Sequence, residues 1–181
     1  DDRLCTLVTS GGAARATLAQ TGAPCVYVLS PATGVHTAEA QIGLVTVAAI
    51  PGCGWTVNNT NSWITITSPT NGTGAGTVSY LVATNTSPLD RVGLVGIAGQ
   101  LFTLTQAGMT CTSTLSPTSG SLSSGNVTGL VSITTTPSCS WVIVNTNTWI
   151  AIKSPATASG TGSGLVRYTA AANPNPSVRL G

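Results

Sequence analysis

Residues 22 to 68 lie over residues 108 to 154 without a gap, and a chain that repeats itself in this way folds as repeated units, not as one sheet. Cys111 stands 86 positions after Cys25, and Cys139, Trp141 and Trp149 follow Cys53, Trp55 and Trp63 at the same distance. Leu29-Ser30-Pro31 meets Leu115-Ser116-Pro117, and Trp63-Ile64-Thr65-Ile66 meets Trp149-Ile150-Ala151-Ile152. The glycine-rich stretch that follows is two residues longer in the second copy, so Tyr80, Asn85 and Arg91 reappear as Tyr168, Asn173 and Arg179 at a distance of 88. An insertion there marks a loop.

The phase of the repeat divides the chain. Gln20-Thr21-Gly22 matches Gln106-Ala107-Gly108, and Asp2-Arg3 matches Asp90-Arg91. Residues 1–22 therefore read as the final β-hairpin of a preceding or partner-chain module, residues 23–108 as a complete module, and residues 109–181 as a second module lacking its last hairpin. If the chain were whole, the second module would leave sheet edges open, which native proteins avoid. The expectation is head-to-tail donation of residues 1–22 to the next copy; the rival is a window cut from a longer covalent array.

Within the complete module, short β-branched and aromatic runs alternate with Gly, Pro, Asn and Ser clusters. Strands are expected near 25–29, 42–50, 54–58, 63–67, 76–84, 91–98 and 101–107. About seven such strands per module suggest an all-β, immunoglobulin-like sandwich. Helical periodicity is not sustained over three turns anywhere.

Charged residues make up only 6% of the chain and the net charge is +2. Six scattered bases cannot supply clustered phosphate contacts, so nucleic acid is excluded as a partner. No apolar run reaches the ~20 residues of a membrane-spanning helix. Solubility resting on hydroxyls and amides suits a surface fibre or a glycosylated exterior.

Each module holds two cysteines 28 positions apart, which predicts disulfides Cys25–Cys53 and Cys111–Cys139 and an oxidising compartment. Neither pair has a His or a CxxC beside it, so no metal set is expected. Cys5 is left over at the position of Gly93 and Gly181, and it reads as a buried inert thiol. Trp55 and Trp141 read as core. Alternation places Trp63 and Trp149 opposite Ile64 and Ile150, on a face that looks wet, where each ring could stack on a sugar or pack between modules. Asn58, Asn71, Asn85 and Asn126 open Asn-x-Ser/Thr sequons and are candidate glycosylation sites.

Catalysis finds little material. A glycosidase needs two facing carboxylates, yet the complete module has only Glu39 and Asp90 and the second has none. His36 falls in an expected polar loop without a counterpart in the second copy, and no Ser–His–Asp set can be assembled from repeat-equivalent positions. Gly72–Gly76 and Gly160–Gly164 lack a lysine and a following helix, so they read as hairpin loops and not as phosphate cradles. Arg3, Arg91 and Arg179 read as strand-start arginines lying over a neighbouring strand or pairing with the acid before them.

The series Cys53-Gly54-Trp55, Trp63-Ile64-Thr65-Ile66, Gly74-Ala75-Gly76, Tyr80, Asn85, Arg91-Val92-Gly93, Phe102-Thr103-Leu104 and Gln106-Ala107-Gly108 resembles the BACON domain, a bacterial β-sandwich module. The resemblance implies a sandwich fold and a secreted or surface-located bacterial protein, and sugar binding has been proposed for such modules. Two functions are thus expected. The first is a non-catalytic repeat of an extracellular fibre or stalk, with copies of itself or neighbouring modules as partners. The alternative is a carbohydrate-binding or adhesion module using Trp63 and Trp149. No cofactor is expected for either.

Overall fold

The computed structural model describes residues 3–8, 11 and 15–181, and before residue 17 the only side chain it describes is that of Thr6. The expectations for Cys5 and for Asp2 beside Arg3 lie outside the described residues. The described chain is all-β and forms two compact units, one of residues 1–84 with 91–106 and the other of residues 85–90 with 107–181.

The first unit contains β1 (Arg3–Val8), β2 (Arg15–Gln20), β3 (Val28–Ser30), β4 (Thr33–His36), β5 (Gln41–Ala48), β6 (Gly54–Asn59), β7 (Ile64–Ile66), β8 (Asn71–Thr73), β9 (Gly76–Val82), β10 (Arg91–Ile97) and β11 (Gln100–Gln106). One sheet has the order β3-β5-β9-β7 and the other β4-β11-β10-β6-β8. These orders correspond to the A-B-E-D and G-F-C sheets of an immunoglobulin-like sandwich, with β4 added parallel to β11. Among the described residues, strands β1 and β2 pair only with each other.

Period-two alternation in the sequence becomes burial in the sandwich. Val45 and Val47 of β5, Val78, Tyr80 and Val82 of β9, Val95 and Ile97 of β10, and Phe102 and Leu104 of β11 all point into one core. Burying a side chain of this kind contributes about 1.5–3 kcal/mol. Their neighbours Ile42, Leu44, Leu94 and Leu101 face out, so the surface keeps exposed aliphatic groups between its threonines.

Several local expectations are corrected. The first strand begins at Val28, leaving Cys25 before it. His36 lies on β4 and not in a loop: after Pro31 the chain crosses to the second sheet, and Thr33–His36 find backbone partners on β11. Residues 71–73 form the further strand β8 against β6. The glycine-rich stretch is therefore a corner between sheets, with β8 in one and β9 in the other, and not a hairpin loop.

The glycines of that corner serve Trp55. A Cβ at Gly72 or Gly76 would lie 2.3 or 2.5 Å from the indole ring, and Gly74, at φ +70°, turns its carbonyl to accept from Trp55 Nε1 at 2.8 Å. The second unit repeats this around Trp141, where Gly160 and Gly164 leave room for the ring and Gly162 O accepts from Nε1 at 2.7 Å. Disulfides Cys25–Cys53 and Cys111–Cys139 tie the start of each sandwich to the residue two before that tryptophan.

The second unit contains β12 (Ser113–Ser116), β13 (Val127–Thr135), β14 (Ser140–Val142), β15 (Ile150–Ser154), β16 (Ser159–Thr161) and β17 (Gly164–Ala170). Sheet β12-β13-β17-β15 reproduces β3-β5-β9-β7, but the opposing sheet is only β14-β16. Among the described residues nothing corresponds to β4, β10 or β11 there. Burial falls accordingly: Leu115 is 52% exposed where Leu29 is 7%, and Ile150 and Tyr168 are half-buried where Ile64 and Tyr80 are buried.

Two outcomes follow from the tryptophan corner and the disulfides. Gly72→Ala should destabilise the first unit by about 1–3 kcal/mol through overpacking against Trp55, read as a lowered midpoint in denaturant. Replacing Cys25 and Cys53 together by alanine should cost roughly 3–4 kcal/mol, the chain-entropy value for a loop of this length. An unchanged midpoint in either variant contradicts the assigned packing.

Candidate functional site

The residues repeated between copies converge on one polar latch at the end of the sandwich. Arg91 opens β10 and stands opposite Gln106, the last residue of β11. Its guanidinium lies 4.3 Å from the Trp63 ring centroid, its Nε donates to Gln106 Oε1 at 2.8 Å, and an Nη donates to the carbonyl of Ala83 at 2.5 Å. Gln106 is fully buried, and its amide donates to the carbonyls of Ala38, Glu39 and Ala83. Every polar group brought inside is thus paired, as burial requires. Burial lowers the Arg91 guanidinium from its ordinary value.

Trp63 is consequently not a bare platform. The ring is half-buried and packed on the core, one face lies under Arg91, and its edge fills the space where a Cβ on Gly93 would stand, 2.7 Å away. Trp149 repeats the arrangement: Arg179 sits 4.3 Å from its centroid and donates to the carbonyl of Ala171, and Gly181 leaves room for the ring edge. The wet face expected for both rings is corrected: Trp63 packs against the core, and an arginine distant in sequence lies over one face of each ring. The sequence held the signal, since Trp63 recurs with Arg91 and Trp149 with Arg179. Asp90 does not pair with Arg91; its carboxylate accepts from the backbone N–H of Gly108 at 2.8 Å.

The sequons separate by burial. Asn58, Asn71 and Asn126 are exposed. Asn85 is buried, with its amide donating to the carbonyls of Leu89 and Ala107 at 2.9 and 3.0 Å, so it pins a turn and is corrected as a glycosylation candidate. An Asn followed by a Ser-Pro turn is itself a turn signature.

His36 bonds Tyr80 Oη through Nε2 at 3.0 Å and Gln41 Oε1 through Nδ1 at 3.1 Å, and its ring meets Tyr80 edge-on. Sequence reading missed this pair, because Tyr80 is 44 residues away. Both nitrogens are engaged structurally. Tyr27 borders a depression of about 470 Å³ with Trp55, Asn71, Gly72 and Gly99; among the described residues its lining holds no carboxylate, imidazole, amine or guanidinium. No group of three or more potential metal-ligating side chains occurs among the described residues, and no described helix is long and apolar enough to cross a membrane.

A sandwich closed by a repeated Arg–Trp latch is the class of module that the fold and site define. Residues 54–107, from β6 to just past β11, match the family BACON, described as "Putative binding domain, N-terminal". No curated protein matches the chain. Solved structures similar to it include a Bacteroides ovatus GH5 xyloglucanase in complex with a XXXG heptasaccharide, at 14% identity and TM-score 0.42, covering 48% of this chain. The chain spans 19% of that enzyme's length. WR4, a C. elegans MSP family member, is similar at 11% identity and TM-score 0.34, covering 46% of this chain and 97% of its own. A Porphyromonas gingivalis W83 protein of unknown function is similar at 13% identity and TM-score 0.29, covering 80% and 83%.

Removing the guanidinium by Arg91→Leu leaves Gln106 Oε1 without its donor in a buried site, and should cost about 1–3 kcal/mol. Arg91→Lys should recover only part of this, because an ammonium cannot reproduce the fork of donors. Equal stability of all three proteins would show that the latch contributes nothing. Burial also pushes the Tyr80 phenol above its ordinary value. The folded state therefore holds that proton more tightly than the unfolded chain, so the contribution is complete below about pH 10 and is lost as pH rises through the folded value. Tyr80→Phe should flatten the alkaline fall in stability.

Proposed function

We propose that the chain is a non-catalytic structural repeat of a bacterial extracellular or cell-surface fibre or stalk. The observation that carries this reading is the recurrence of the same closing elements along one chain: the Arg–Trp latch at Arg91 and Arg179, and the Arg-opposite-Gln hairpin at β10–β11 and β1–β2. Such recurrence suits an array of like modules built on the same closing elements. The disulfides suit an oxidising exterior. The near-absence of charge leaves hydroxyls, amides and exposed sequons as the surface chemistry.

A second reading, binding of carbohydrate or another ligand, is favoured by the description of the matched family as a binding domain. With one face of each of Trp63 and Trp149 under an arginine, the depression beside Tyr27 and Asn71 is a surface that offers such a ligand an amide and ring edges.

Immunogold electron microscopy of intact cells, using antibody to the chain, separates the two. The structural reading expects label at regular spacing along a filament or stalk, and diffuse label on soluble protein would contradict it. A glycan array that gives binding abolished by Tyr27→Ala would favour the second reading instead.

A further inference from the structure

We propose that the open side of the second unit is an acceptor for a β1–β2 hairpin supplied by a second copy of this chain. The inference rests on the structural reading above and names the partner that such an array would use.

The hairpin is built for that position. In β1–β2, Arg3 faces Gln20, Leu4 faces Ala19, Cys5 faces Leu18 and Leu7 faces Ala16. In β10–β11 the same sequence of pairs runs Arg91 with Gln106, Val92 with Thr105, Gly93 with Leu104 and Val95 with Phe102. Position for position, the two hairpins share one register. Their burial is opposite: Leu104 and Gln106 are 0% exposed, whereas Leu18 is 58% exposed and Gln20 is exposed. The core face of β2 is therefore uncovered in the single chain.

The acceptor lacks what the hairpin offers. In the first unit β10 pairs with Val57, Asn58 and Asn59, and β6 runs on to Asn59. In the second unit β14 stops at Val142, Ile143 bonds only the carbonyl of Ala158 on the side away from the gap, and Val144 and Asn145 lie in no strand, with Val144 85% exposed. A cleft of about 680 Å³ opens beside Trp149, Ile150, Tyr168 and Ala170, where the first unit has its hairpin packed.

Geometry also fixes where the two copies would join. Arg179–Gly181 already occupy the positions of Arg91–Gly93 against Trp149. Gly93 and Gly181 sit where a Cβ would lie 2.7 Å from a tryptophan ring, so Cys5 does not fit that slot. The acceptor's own Arg179–Gly181 keep the start of the strand, and the donor supplies Thr6–Val8 and Arg15–Gln20. Leu18 then takes the place of Leu104, and Gln20 that of Gln106 beneath Arg179. Donor and acceptor are different surfaces, so the contact is heterologous, the kind that propagates as an open fibre.

Sedimentation velocity of the full chain across a concentration series tests this, with Leu18→Asp and the outward-facing Leu44→Asp as variants. Both residues are exposed in the single chain, so neither change disturbs its fold. Expected is concentration-dependent growth for the parent and for Leu44→Asp, an at least tenfold weaker association for Leu18→Asp, and capping of growth by a synthetic peptide of residues 3–22. Growth unaffected by Leu18→Asp and by the peptide overturns the proposal. So does an intact native mass well above 18.0 kDa with the missing strands supplied by the same chain, an outcome that leaves the structural reading standing. Diffuse cell labelling in the electron microscope would sink that reading without deciding whether the purified chain accepts a hairpin.

Discussion

Closure of the first sandwich by one hairpin is the constraint on which the rest of that unit depends. Strands β10 and β11 lie in the middle of their sheet, between β4 and β6, so removing them would strip partners from both sides at once. They also supply Val95, Ile97, Phe102, Leu104 and Gln106, all essentially inaccessible to solvent. At about 1.5–3 kcal/mol for each large apolar side chain, this one hairpin accounts for burial comparable to the whole net stability of a small domain. The second unit shows the converse: with only β14 and β16 opposite the four-stranded sheet, its leucine, tyrosine and isoleucine equivalents are left partly in water.

Around that closure the chemistry is polar but not catalytic in arrangement. The buried Gln106 amide gathers three carbonyls and presents its oxygen to Arg91, and Arg91 in turn covers Trp63. An arginine lying on an indole while its donors meet a carbonyl and an amide combines cation–π attraction with a satisfied fork. The latch joins the start of β10, the end of β11 and the loop after β9, the places where a sandwich would otherwise fray.

Much of the fold was legible because it rests on local period and on repetition. Alternating apolar residues mark β5, β9, β10 and β11, and matched spacing of Cys25–Cys53 and Cys111–Cys139 marks the disulfides. What escaped depends on contacts distant in sequence. Strand β4 exists because Thr33–His36 meet β11 about 70 residues later, and its Thr-Gly-Val-His composition carries no strong strand signal. The glycines near 72–76 and 160–164 looked like turn residues, and only the indole rings in the structure show that two of each set are there to leave room. Exposure of Trp63 and Trp149 was misjudged for the same reason, since alternation gives the face of a strand but not what a segment distant in sequence lays over it.

Amide hydrogen exchange at Val144 and Asn145, followed as the chain is concentrated, tests the dependence on hairpin closure most directly. Exchange that slows with concentration until it matches Asn58 and Asn59 of the first unit is what the account predicts. Exchange that stays equally fast at every concentration would contradict it, because the edge would then have no hairpin upon it.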